Sequence, residues 1–147
     1  MEKIESFKVD HTKIVPGLYI SRVDGDVTTY DLRFCRPNVE TLSGAGMHTI
    51  EHLFATFIRN TDLSVLYFGP MGCMTGFYLL VRSADHEKVW REIQKVLEAI
   101  MDFSGEIFGS TEIECGNYKF HNLADAREAA RAFRMVLEKP PALVYPE

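Results

Sequence analysis

Leu63-Ser64-Val65-Leu66-Tyr67-Phe68 and Thr75-Gly76-Phe77-Tyr78-Leu79-Leu80-Val81-Arg82, joined by Gly69-Pro70-Met71-Gly72-Cys73, decide the fold class of this chain. Both flanks are short, apolar and rich in aromatic and β-branched residues, which favours strands. The linker is too rigid and glycine-rich for the interior of any element, and so short a connection forces an antiparallel pair. Working back, Val27 to Cys35 alternates, with Tyr30, Leu32 and Phe34 on one face and Thr29, Asp31, Arg33 and Cys35 on the other. This predicts a third strand whose polar face aims Arg33 away from the core.

Helical segments surround these strands. Ser43-Gly44-Ala45-Gly46 leads into a helix running to about Asn60. Ser83 to Asp85 cap a second helix, in which Val89, Trp90, Ile93, Val96, Leu97 and Ile100 follow the i, i+3, i+4, i+7 pattern. Asn122 with Asp125 caps a third, carrying Leu123, Ala126, Ala130, Phe133 and Leu137 and stopped by Pro140-Pro141. Ile107 to Cys115 reads as a further strand. The expected class is α+β: one domain over residues 1–147, an antiparallel sheet with helices packed on one face, and a C-terminal tail from about 139 to 147.

Composition narrows the function. The chain has 147 residues, 46% of them hydrophobic, enough for a single core. Its 16 basic residues are dispersed and the net charge is −5, so neither nucleic acid nor an anionic membrane is an expected partner. Apolar runs are too short to span a bilayer, and Met1-Glu2-Lys3-Ile4-Glu5-Ser6 has no secretory h-region. Cys35, Cys73 and Cys115 are an odd number at wide spacing, which suits a reducing cytoplasm better than a disulfide framework.

Chemistry concentrates in His48-Thr49-Ile50-Glu51-His52. At about 100° per residue, His52 falls near 40° from His48 and Glu51 near 300°, so all three share one helical face. Ile50, Leu53, Phe54 and Phe57 occupy the opposite one. Two imidazoles and a carboxylate placed this way make a divalent-metal site with a base attached, and a catalytic site of that kind needs a third protein ligand and an open position. The remaining histidines, the acids and the thiols are candidates, with Cys115 favoured by its place in Glu114-Cys115-Gly116-Asn117. Cys73, on a tight turn, is a candidate acid or base if a cation lies beside it, either Arg33 or the metal. Cys35 reads as a core thiol, and His86 and His121 as surface residues.

Five blocks together resemble the S-ribosylhomocysteine lyase family (LuxS, autoinducer-2 synthesis). They are Glu5-Ser6-Phe7 with Asp10-His11-Thr12-Lys13, Tyr30-Asp31-Leu32-Arg33-Phe34, His48 to Leu53, Gly69 to Tyr78, and Glu114 to Tyr118. The resemblance runs from residue 5 to about residue 135. It implies that His48, His52 and Cys115 bind the metal, that Glu51 and Cys73 transfer protons, and that Ser6, His11 and Arg33 line the substrate pocket. It further implies one Fe²⁺ per subunit, replaceable by Zn²⁺ or Co²⁺, and a homodimer with active sites at the subunit interface. The implied reaction cleaves S-ribosyl-L-homocysteine to L-homocysteine and 4,5-dihydroxy-2,3-pentanedione, the precursor of autoinducer-2. One departure stands out: Tyr67 replaces an acid that the family places before the catalytic turn, where it would help to hold the substrate's amino group. The alternatives are an inverzincin-type metallohydrolase or peptidase, for which H-x-x-E-H is also a signature, and a non-catalytic metal-binding module.

Overall fold

The structure, a computed structural model, describes residues 1–147. Its sheet has four antiparallel strands, β1 (Gly17–Asp24), β2 (Val27–Arg33), β3 (Ser64–Pro70) and β4 (Gly76–Arg82), in the order β1-β2-β4-β3. The helices are α1 (Gly44–Arg59), α2 (His86–Asp102) and α3 (Leu123–Val136). The expected α+β class is therefore observed.

Strand alternation sorts the sheet into two unlike faces. Leu18, Tyr30, Leu32, Phe68, Phe77, Leu79 and Val81 are buried on one face and join the helices in a single core. Ile50, Leu53 and Phe54 of α1 are fully buried there, each stabilising by about 1.5–3 kcal/mol, so the turn carrying His48, Glu51 and His52 is anchored from behind. All six apolar positions expected of α2 are buried. Asn122 caps α3 by accepting from the Asp125 amide, as its spacing implies.

The opposite face carries Tyr19, Thr29, Asp31, Arg33, Tyr78 and Leu80, and the three α-helices do not pack on it; a short 3-10 turn, Glu5–Phe7, borders it. Gly76 pairs with Arg33, and a β-carbon there would come within 2.3 Å of the Leu32 carbonyl oxygen, so only glycine lets β4 approach β2 at this point.

Several expectations need correction. Residues 107–115 form no strand: Ser110 donates to the Ile107 carbonyl, and Glu114 and Cys115 both donate to that of Thr111, so the backbone bonds are spent in local turns. Strand β1, not expected from the sequence, lacks clean alternation because a bulge shifts its register between Ile20 and Arg22. Arg33 does point away from the helical core, but it is only 2% exposed and Asp31 is fully buried. What covers them is the tail. The Ile20 amide donates to the Leu143 carbonyl at 2.9 Å, and Tyr145 stacks on Tyr19 with ring centroids 4.8 Å apart.

Candidate metal centre and active site

The first turns of α1 begin at Ser43, whose hydroxyl accepts from the Gly46 amide and donates to Asp125 of α3 at 2.7 Å. This fixes where His48, Glu51 and His52 emerge. The two imidazoles lie edge to face, with centroids 4.6 Å apart and planes at 90°. His48 Nδ1 donates to the Phe120 carbonyl at 2.6 Å and His52 Nδ1 to the Phe108 carbonyl at 2.7 Å. Because a carbonyl only accepts, each Nδ1 carries the proton and each Nε2 lone pair is free, the tautomer a metal ligand requires. The irregular course of residues 103–122 thus has a use, supplying a carbonyl behind each histidine.

Cys115 Sγ lies 3.4 Å from His48 Nε2 and 3.8 Å from His52 Nε2. Tetrahedral coordination with ordinary metal–sulfur and metal–nitrogen bonds places such atoms about 3.6 Å apart. Two imidazole nitrogens and a thiolate at this spacing fit a divalent first-row metal ion and leave a coordination position open.

His121 is the residue the sequence reading missed. It is not a free surface side chain: its donor atom belongs to a group with those of His48, His52 and Cys115, all within 4.8 Å of one another. Thr49, fully buried one position along α1, donates its hydroxyl proton to the Ala45 carbonyl and accepts from the Asn122 amide. His121 Nδ1, 3.0 Å from that oxygen, must therefore donate to it, which leaves Nε2 buried without a partner. Burial, then the neighbouring His48 and His52, push the imidazole down to about 4, so it is neutral at neutral pH. Its ring stacks on His48 at 4.1 Å and 16°. Rings stacked in parallel cannot aim their in-plane lone pairs at one point, so the convergent set is His48, His52 and Cys115, with His121 packed against it. The spacing Cys115-x5-His121 was the only signal in the sequence. His86 likewise does more than sit on the surface, meeting the Tyr30 hydroxyl at 2.5 Å.

Glu51 Oε1 lies 4.0 Å from His52 Nε2, and its side chain is one-third exposed. It borders a depression of about 340 Å³ shared with His48, Met47, Asn117 and the Pro70-Met71-Gly72 turn that leads to Cys73. Cys73 is exposed, with its sulfur 3.0 Å from the Thr75 hydroxyl. Arg33 donates to that same hydroxyl at 2.9 Å and is held from behind by both Asp31 oxygens, at 3.1 and 2.6 Å. Burial works against the Arg33 charge, but the Asp31 carboxylate more than offsets it and holds the guanidinium above its ordinary range. Arg33 can only donate, so it takes a lone pair of Thr75 and leaves the hydroxyl proton free for the sulfur.

Other residues singled out in the sequence lie apart from the metal cluster in this chain. Ser6 borders a depression on the open face of the sheet with Ile4, Arg22, Tyr67, Tyr78 and Leu80. His11 Nδ1 donates to the Val9 carbonyl at 2.9 Å within a turn. Tyr67 is half exposed and folds over Gly69, where a β-carbon would come within 1.9 Å of the Tyr67 hydroxyl oxygen. The tyrosine and the glycine two residues later are therefore sterically coupled.

A family model described as S-Ribosylhomocysteinase (LuxS) matches residues 4–140. An S-ribosylhomocysteine lyase of Finegoldia magna is 46% identical over 156 aligned residues, covering 100% of both chains. One from Desulfotalea psychrophila is 46% identical, covering 94% of this chain and 93% of its own, and one from Clostridium acetobutylicum is 45% identical with 100% of both covered.

Proposed function

The chain belongs to the S-ribosylhomocysteinase (LuxS) family, and from that premise we propose that it cleaves S-ribosyl-L-homocysteine to L-homocysteine and 4,5-dihydroxy-2,3-pentanedione. The observation that carries this reading is the convergence of His48, His52 and Cys115 at tetrahedral spacing, with Glu51 on the same helical turn.

A thioether on C5 of a sugar leaves readily only when a carbonyl stands at C3, because the proton on C4 is then acidic and elimination expels the thiolate. The carbonyl must therefore move from C1 through C2 to C3. Each shift takes a proton from a carbon or hydroxyl beside a carbonyl and returns one to a neighbour, which needs positioned acid–base groups. Glu51 and the turn carrying Cys73 border one depression, so two such groups flank the space a sugar would fill. Cys73 serves the isomerisations, its sulfur meeting the same Thr75 hydroxyl to which Arg33 donates. Glu51 serves the later isomerisation and the elimination. When bound, a divalent metal held by His48, His52 and Cys115 supplies Lewis-acid polarisation of substrate oxygens. Fe²⁺ is the ion proposed, one per subunit, with Zn²⁺ or Co²⁺ able to substitute because the donor set does not favour ferrous iron.

Ser6, His11 and Arg33 are proposed to serve the substrate pocket. Ser6 lies on the open sheet face, where Ile4 is 60% and Tyr67 52% exposed. Exposed apolar residues on that face, Ile4 and Tyr67 among them, are what a second copy would cover, which supports a homodimer with shared active sites. The location proposed is the cytoplasm; no helix is long and apolar enough to cross a membrane.

The test is anaerobic loading with Fe²⁺, incubation with S-ribosylhomocysteine, and titration of free thiol after the protein is removed by ultrafiltration. Stoichiometric homocysteine is expected. Its absence from a metal-loaded, folded dimer would overturn the assignment.

A further inference from the structure

The C-terminal tail reaches the Cys73 network from the far side. Tyr145 donates its hydroxyl to Asp31 Oδ2 at 2.7 Å, the same oxygen that receives Arg33 Nη2. A continuous series of contacts results: Tyr145 to Asp31, Asp31 to Arg33, Arg33 to Thr75, and Thr75 to Cys73. We propose that Tyr145 is a positioning residue for Cys73, acting through the buried Asp31–Arg33 pair. The proposal rests on the acid–base role given to Cys73 above.

Two effects of the tyrosine act in the same direction. By taking part of the Asp31 charge, its hydroxyl leaves more of the Arg33 charge to act on Thr75 and the sulfur. By stacking on Tyr19, its ring holds the tail over the buried Asp31–Arg33 pair, which keeps Arg33 fixed against the Thr75 hydroxyl that meets the sulfur. Burial and the nearby Asp31 carboxylate hold the Tyr145 phenol well above its ordinary range, so it remains a donor wherever the enzyme works. The other titratable groups facing this network are Tyr78 on β4 and Tyr19 on β1, which burial also keeps neutral. Arg33 is thus the one cation in the series, and Tyr145 reaches the Asp31–Arg33 pair from outside the sheet through Asp31.

The tail is well placed for this role. It passes β1 with the Leu143 carbonyl accepting from Ile20, and Trp90 Nε1 and Gln94 Nε2 both donate to the Leu137 carbonyl where α3 ends. The segment carrying Tyr145 is therefore tied at both the helix and the sheet.

The test compares Tyr145→Phe with the parent in the metal-loaded full chain, following iodoacetamide modification of the Cys73 peptide by mass spectrometry between pH 5.5 and 9.5. The expected result is a three- to tenfold slower reaction at pH 7 with an unchanged limiting rate at high pH, equivalent to an alkaline displacement of about half to one pH unit. In a Thr75→Ala background the same change should have no further effect, because the series is already broken. Superimposable curves for Tyr145→Phe and parent would overturn the proposal, as would an equal displacement with and without Thr75. A melting temperature within a few degrees of the parent separates positioning from a general loosening of the fold. The reaction is read without substrate, so failure of this proposal is distinguishable from failure of the lyase assignment, which turnover tests.

Discussion

Replacing Asp31 by alanine should be among the most damaging single changes to this protein's stability. Asp31 is fully buried and Arg33 is 2% exposed, and their fork is closed by contacts at 3.1 and 2.6 Å. In Asp31→Ala the guanidinium keeps only the Thr75 hydroxyl, and the Tyr145 hydroxyl loses its acceptor. Removing one member of a buried pair costs about 3–5 kcal/mol, because the remaining charge stays uncompensated in a poorly solvated place. For a chain of this length, that corresponds to a fall in melting temperature on the order of 10–20 °C. Urea unfolding at neutral pH measures it directly, and the slope of free energy against denaturant should be unchanged if the native state remains compact. The double variant Asp31→Leu with Arg33→Met should recover most of the loss, since no buried charge is then left alone. A cost below about 1 kcal/mol for Asp31→Ala would refute the reasoning, because it would show that water reaches Arg33 despite the covering tail.

Three further outcomes are expected. Glu51→Gln should bind metal as the parent does yet lose turnover by a factor of about 10²–10⁴, the usual worth of a positioned acid–base group; metal analysis with a turnover assay checks this, and near-normal turnover would remove Glu51 from the mechanism. Cys115→Ala should lose most bound metal while keeping its far-ultraviolet circular dichroism, and full metal stoichiometry would move the third ligand elsewhere, His121 being the first to examine. Burial, with a smaller contribution from Asp85, pushes the Tyr30 phenol up to about 12 from an ordinary 10. Its contribution to stability is therefore complete below pH 10 and lost as the pH rises from 10 toward 12, since the unfolded chain ionises first. Tyr30→Phe should lose less stability than the parent over that interval in urea titrations, and parallel curves would show that Tyr30 is not shielded.

Reading the chain in order recovered the elements whose signals are local. Helix α2 was legible in full because its six core positions obey one period, and α3 because the Asn122 side chain caps the amide three residues on. The β3–β4 pair was legible from its short, rigid connection. Strand β1 was not, because its bulge breaks the alternation that identifies a strand. Residues 107–115 deceived for the opposite reason: their composition suits a strand, but their backbone groups bond within turns or to the metal-site histidines.

For the site, sequence by itself determined that His48, Glu51 and His52 share a face, because helical periodicity fixes side-chain direction whatever the rest of the chain does. It also yielded a specific family resemblance with Cys115 and Cys73 in defined roles. Tertiary structure alone decided three other matters. Cys115 was brought to tetrahedral spacing with the histidines, and His121 was stacked on His48 without sharing its line of approach to the metal. Arg33, on what the sequence presents as a polar face, became a buried charge closed over by Tyr145, 114 residues from its partner Asp31. Such pairings depend on chain segments that meet only after folding, and no local pattern records which segments will meet.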